Sequence, residues 1–433
     1  MKIKKNDTRS FALKILYNIL HKNIFFSDAL IRYENDFEEF NDKDKKYIYQ
    51  LIITVIRRLG YIERIINLHL QKPIKNPEIK IVLGIGVAQI IYLRTPDYAA
   101  VNQTVNIIKP KLNSFKPLVN AILRKIAKNQ EKYFNITNST KHMLPSWILK
   151  KWEKNHGENN TKLIIKSLLS EPYIDISIKT SENKIFEQLN TQVLPNGTIR
   201  LKNHYKISSL PKYREGNWWV QDAAATIPGS LLINKLKNNP DKKLVIDACA
   251  APGGKSIQLL RSGLEVISID RNKERINTMI KNLKRMNLTY NIIDNNFLNW
   301  NPTSLDISGI LLDAPCSGTG TLRRNPDIIW SRKKRDIENL SRIQIKLLKH
   351  SLKILRPGGT LVYAVCSIEP EEGINIARKA LSWPNVELSK ISDEELPKLE
   401  ESITKEGFVQ ILPHYWSEFG GLDGFFIARF EKK

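Results

Sequence analysis

The sequence predicts an all-α N-terminal domain joined to a doubly wound, parallel α/β domain. Three observations predict it. Apolar residues recur at helical spacing through about residue 140, with no strand alternation among them. From about residue 216, short apolar runs alternate with helical patterns, as a parallel sheet requires. The expected strands end on Asp270, Asp294, Asp313 and Cys366. Sheets of this kind bind ligands at the carboxyl ends of their strands.

The first helix is expected to start at Asp7 or Thr8, either of which can cap the run Ala12, Ile15, Leu16, Ile19 and Leu20. Tyr47, Ile48, Leu51, Ile52, Val55, Ile56 and Leu59 repeat the pattern. Asn76-Pro77-Glu78 combines a capping Asn, a Pro at the first turn and an acid near the positive end. A helix therefore opens there and runs through Ile81, Val82, Ile85, Ala88 and Tyr92. Two more helices fit 99–108 and 115–127, so residues 1–140 are expected as one helical domain. Residues 141–215 are rich in Asn, Lys, Thr and Ser, with Pro145, Pro172, Pro195 and Pro211 as breakers. They predict a linker and a small α+β module, with helices at 147–155 and 160–169 and strands at 174–178 and 197–201. Residues 216–433 hold the sheet. Its strands are expected at 243–248, 264–269, 290–293, 309–312 and 359–365, with helices at 272–286 and 334–355.

Composition narrows the function classes. Three cysteines in 433 residues make no disulfide framework, which points to a reducing compartment, the cytoplasm. No window holds the roughly 18 uninterrupted apolar residues of a membrane span. No apolar stretch with a small-residue cleavage site follows the basic N-terminus, so neither a membrane partner nor a signal peptide is expected. The net charge of +24, from 68 basic and 44 acidic residues, suits a polyanionic partner. An abundance of Lys, Asn and Ile gives the same excess a second source, a genome biased toward A and T.

Three motifs carry chemistry. Asp247-Ala248-Cys249-Ala250-Ala251-Pro252-Gly253-Gly254-Lys255 leads from strand through turn to helix. Its glycines admit a ligand to the backbone and offer amide donors. The spacing is not that of a phosphate-binding P-loop. Such a turn alone fits a dinucleotide, a nucleoside or nothing. Asp270, closing the next strand, stands where an acid grips ribose hydroxyls, and Asp294 can accept from an adenine amino group. The second motif is Asp313-Ala314-Pro315-Cys316-Ser317-Gly318-Thr319-Gly320. Arg323, Arg324 and Trp330 follow it, side chains suited to phosphate contact and to packing on a base or backbone. The third is Val362-Tyr363-Ala364-Val365-Cys366-Ser367-Ile368. Cys249 sits where a buried, apolar role fits a free cysteine, whereas Cys316 and Cys366 lie in polar, Gly-rich settings. The three cysteines lack the close pairing of metal ligands, so no metal is expected.

These motifs resemble the RNA 5-methylcytosine methyltransferase family, often called the Sun or Nop2 family, over roughly 216–433. Trp219-Val220-Gln221-Asp222 and Asp423-Gly424-Phe425-Phe426 agree with it. Ala100-Val101-Asn102-Gln103 and Val119-Asn120-Ala121-Ile122-Leu123-Arg124 resemble helix signatures of the NusB-like RNA-binding fold. The resemblance implies a Rossmann-like methyltransferase domain behind a NusB-like domain. It implies S-adenosylmethionine as cofactor, 16S rRNA as partner and substrate, and a monomer. It makes Cys366 the nucleophile that adds to carbon 6 of cytosine, and Cys316 the helper in product release. Asp313 would bond the cytosine ring and Lys255 would orient these groups. Cys249, Ala250, Ala251, Pro252, Gly253, Gly254, Lys255, Asp270, Asp294 and Asp313 would line the cofactor site. Val365 departs from the family's usual Thr before the nucleophile. A tRNA substrate, or a non-catalytic RNA-binding role, remains as an alternative reading.

Overall fold

The computed structural model describes residues 7–136, 140–178, 183–203, 205–237 and 244–433. They form two compact units, Met1–Ser170 with Arg324–Arg332, and Glu171–Arg323 with Lys333–Lys433. Residue 243 of the first expected sheet strand lies outside the described residues.

Among the described residues, the regular elements of the first unit are all helices. Asp7 caps helix Thr8–Lys22 by accepting from the amides of Arg9 and Ser10. Asn76 caps helix Pro77–Val87 by accepting from Ile79. That helix runs on into a π-helical turn, Ala88–Tyr92. There the buried Gln89 donates to Ile85 O and Thr104 Oγ1 and accepts from Arg9 and Tyr47. A polar side chain buried this completely is tolerated because each of its groups is bonded. The two helices expected at 147–155 and 160–169 fall within Ser146–Leu168 and are separated at Gly157, whose φ 80° and ψ 160° are not helical. Glycine permits that angle without a Cβ clash, so one helix ends there and the next begins. This segment belongs with the helical unit, beyond the boundary expected at 140: Arg57 Nη1 donates to Leu168 O and Ser170 O. Within the same unit Asp327 accepts from Phe26 N at 2.9 Å, and Trp330 Nε1 donates to Ile56 O at 2.9 Å. The Trp330 indole therefore packs against a helical core rather than standing free for a base.

The second unit holds two sheets. A small antiparallel sheet has the order β2-β3-β1-β4, from β1 (Ile174–Ile178), β2 (Thr191–Val193), β3 (Ile199–Leu201) and β4 (Trp218–Val220). It carries a buried ion pair, Asp175 with Arg200 at 2.6 Å. The large sheet contains β5 (Leu244–Ala248), β6 (Glu265–Asp270), β7 (Asn291–Asp294), β8 (Gly309–Asp313) and β9 (Thr360–Val365). It is completed by β10 (Val386–Leu388), β11 (Val409–Ile411) and β12 (Phe425–Lys432). Its order is β10-β12-β9-β8-β5-β6-β7, with β11 on β12. β5 to β9 pair in parallel, and β12 runs antiparallel to β9.

Alternate strand residues face opposite layers. Leu311 and Val362 join Leu231 and Leu232 of helix Ala223–Lys237 on one face. Ile310, Leu312 and Tyr363 join Leu347 and Leu348 of helix Lys334–Ile354 on the other. Strands buried on both faces read as continuous apolar runs, which is why the sequence announced them. The chain moves outward from β5 through β6 to β7, then returns to β8 beside β5. Strand order reverses there, and a crevice opens at the carboxyl ends.

Candidate active site

The cofactor half of the crevice is built by the turn after β5. Gly253 takes φ 101°, and a Cβ there would lie 2.7 Å from Met279 Cγ. Only glycine suits the position, and Gly254 then opens helix Gly254–Arg261. Asp270, at the end of β6, accepts from Ala251 N at 3.0 Å and Asn272 N at 2.9 Å. These bonds hold the Ala250-Ala251-Pro252 stretch over the sheet while leaving the carboxylate lone pairs for another donor. Asp294 lies beside Asp270 in register on β7, and it is exposed. Burial first, then the charges of Asp270, Asp313 and Asp247, push the Cys249 thiol up to about 12. Beneath the turn, the wholly buried Asp247 binds Ser256 Oγ, while its Oδ1 has no partner. Burial raises this carboxyl to about 7, against a weaker lowering by Ser256 and Lys255.

The second half is built by β8 and β9. Lys255 Nζ donates to Asp313 Oδ2 at 2.8 Å. Burial alone would lower the Lys255 ammonium, but the Asp313 charge and hydrogen bond outweigh it and the net shift is upward. Lys255 stays a cation held on the acid that closes β8. Cys316 and Cys366 bring their sulfurs to 3.4 Å. The Cys316 thiol is raised well above its ordinary value, chiefly by its hydrogen bond to Cys366 and then by burial. Either sulfur can donate to the other across this contact. A cavity of about 420 Å³ is lined by Gly254, Lys255 and Asp313 together with Gln221 and Asp222. Gln221 is fixed there by the Trp219 indole N–H and by donating to Ala225 O.

The structure thus brings Lys255, Asp313, Cys316 and Cys366 together, and sets Asp270 and Asp294 side by side. Arg323 departs from its expected role. It is buried and donates to Leu422 O and Gly420 O, so it secures the loop before β12 instead of meeting phosphate. Sequence reasoning missed Glu372, Ser317, Ser367 and Gln344, which interlock behind the two cysteines. The signal was present only as a hydroxyl directly after each cysteine, and nothing local pointed to their common partner.

The donor set fits S-adenosylmethionine. Two adjacent carboxylates suit hydroxyl and amino donors, the glycine turn admits close approach, and the acids at the strand ends favour a sulfonium charge. An S-adenosylmethionine-dependent methyltransferase of the Rossmann-like class is what this fold and site define. The chain belongs to the family described as 16S rRNA methyltransferase RsmB/F, whose model matches residues 234–431, and the NusB family model matches residues 6–128. It is 31% identical to ribosomal RNA small subunit methyltransferase B of Shewanella oneidensis, over 98% of this chain and 99% of that one. It is 30% identical to the protein of that name in Escherichia coli strain K12, over 99% and 100%. NSun6 from Pyrococcus horikoshii, crystallised with SFG, shares the fold at TM-score 0.55 and 18% identity, over 66% of this chain and 98% of that one.

Proposed function

We propose that the protein methylates carbon 5 of a cytosine in 16S rRNA through a covalent bond between Cys366 and carbon 6. The observation that carries the reading is the 3.4 Å approach of two thiols beside the Lys255–Asp313 pair. Amine methylation needs no such pair. Full-length likeness to proteins named for the small ribosomal subunit supports the substrate class, as does the net charge of +24.

Carbon 5 of cytosine is a weak nucleophile. In this reading the Cys366 thiolate adds to carbon 6, and the ring double-bond pair shifts so that carbon 5 becomes nucleophilic. S-adenosylmethionine, when bound, supplies a methyl group on a positive sulfur. Asp313, steadied by Lys255, bonds the pyrimidine edge and stabilises the charge that develops there. Cys316 first donates toward the Cys366 sulfur. With its own proton released to water, the Cys316 thiolate then takes the carbon 5 proton, the electron pair left on carbon 5 restores the ring double bond, and the Cys366–carbon 6 bond breaks with its pair returning to the Cys366 sulfur. Attack from the ring face requires the base to leave its stack. We assign the helical domain, and the module at about 141–215, to phosphate contact and substrate choice.

The test is a Cys316→Ala variant incubated with RNA and cofactor. The reading expects a covalent protein–RNA adduct, seen as a shifted band that Cys366→Ala abolishes. Absence of any adduct, with cofactor binding intact, contradicts the assigned roles.

A further inference from the structure

Behind the two thiols lies a carboxylate that the reaction itself does not use. Glu372 is fully buried. Its Oε1 accepts from Ser317 N at 2.8 Å and Gln344 Nε2 at 3.1 Å. Its Oε2 accepts from Ser367 Oγ at 2.6 Å and from the Ser317 hydroxyl. Ser317 follows Cys316 and Ser367 follows Cys366. Gln344 also donates to Pro315 O at 2.9 Å, so the residues on both sides of Cys316 are tied to this one acid. The Tyr363 hydroxyl fixes the Glu372 backbone by donating to its carbonyl at 2.5 Å. A direct strut, Gly320 N to Cys366 O at 3.1 Å, joins the same two loops.

We infer that Glu372 is a positioning residue that clamps the Cys316 and Cys366 loops together and so sets the spacing of the two thiols. The inference deepens the proposed cysteine mechanism and rests on it for its catalytic consequence. Burying a carboxyl is costly unless hydrogen bonds compensate. Burial pushes Glu372 up, and the serine and glutamine donors offset only part of that rise. Ile368 N also donates to Thr319 Oγ1 across the two loops at 3.2 Å, but removing the acid would take the shared acceptor from Ser317, Ser367 and Gln344 at once. A shift near 1 Å at reacting atoms costs on the order of 100-fold in rate. Glutamine is nearly isosteric. Its carbonyl keeps the Ser317 N–H and Gln344 bonds, and both serine hydroxyls can turn to accept from its amide.

The experiment compares wild type, Glu372→Ala and Glu372→Gln in two ways. One measures methylation kinetics. The other follows phenylarsine oxide bridging of the free protein by intact mass, with Cys316→Ala as control. Bridging joins both sulfurs to arsenic and releases one water, so it reports thiol spacing without RNA. In Glu372→Ala we expect kcat to fall about 100-fold with the KM for S-adenosylmethionine unchanged, and bridging to slow at least about tenfold. In Glu372→Gln both should recover to within roughly tenfold of wild type. Wild-type kcat and bridging in Glu372→Ala overturn the inference. Equal loss of folding and cofactor binding in both variants overturns it too, since that describes a plain core residue. Slowed bridging with undiminished methylation supports the clamp and contradicts the cysteine mechanism, which separates the two failures.

Discussion

The two halves of the crevice solve one problem in different ways. On the cofactor half, Asp270 orders its turn through amides close to it, Ala251 N from the neighbouring turn and Asn272 N just beyond itself. On the cysteine half, Glu372 gathers Ser317, Gln344 and Ser367 from three elements. Local backbone donors suffice to hold a cofactor. Holding two thiols at a working distance takes side chains brought together only by the finished fold. The cofactor half should therefore fail locally when cut, and the cysteine half should fail cooperatively.

The largest expected effect breaks the cysteine half. Cys366→Ala should reduce methyl transfer at least about 1,000-fold while cofactor affinity holds. Retained turnover in a labelled-methyl assay would remove the basis of the comparison. Next in size is Arg200→Ala. Arg200 pairs with Asp175 and donates to Phe419 O and Gly421 O, bracing the loop that Arg323 also grips. Removing one member of a buried pair strands the other, so unfolding stability should fall by about 3–5 kcal/mol in denaturant titration.

A third effect is read against pH. The carboxyl of Asp247 is raised from 3.8 to about 7 by burial. The fold favours its neutral form, so this contribution is fully present below pH 3.8 and is lost as pH rises toward about 7. Asp247→Asn should lack that decline, a difference on the order of a few kcal/mol across the window. Parallel stability curves for the two proteins would contradict it. The smallest effects sharpen the cofactor half. Asp270→Ala should weaken S-adenosylmethionine binding by about 1.5–3 kcal/mol, and the exposed Asp294→Ala by about 1 kcal/mol. Calorimetry that reversed this order would move the ribose contact from β6 to β7.

How much of this was legible in the sequence follows the same division. The strands β5, β6, β8 and β9 announced themselves as apolar runs because both faces are covered, whereas β7 at the sheet edge is short and half-buried at best. Their closing residues Asp270, Asp294, Asp313 and Cys366 lie where the pattern put them. Asp7 and Asn76 read directly as caps, because a cap needs only its own next few amides. The break at Gly157 was legible as two helices, because a glycine at positive φ ends one helical run and lets the next begin. Arg323 and Trp330 looked like nucleic-acid contacts because burial is a property of the fold, not of the residue type. Glu372 was silent for the same reason. Its four donors come from residues up to 55 positions away, and no local pattern marks a carboxyl that will be shared.

The central claim is tested most directly by nucleoside analysis after reaction with methyl-labelled S-adenosylmethionine and, separately, 16S rRNA, 23S rRNA and total tRNA. The account predicts label in 5-methylcytidine from 16S rRNA alone. Label in any other nucleoside would contradict the cysteine chemistry, and 5-methylcytidine arising only from tRNA would contradict the substrate.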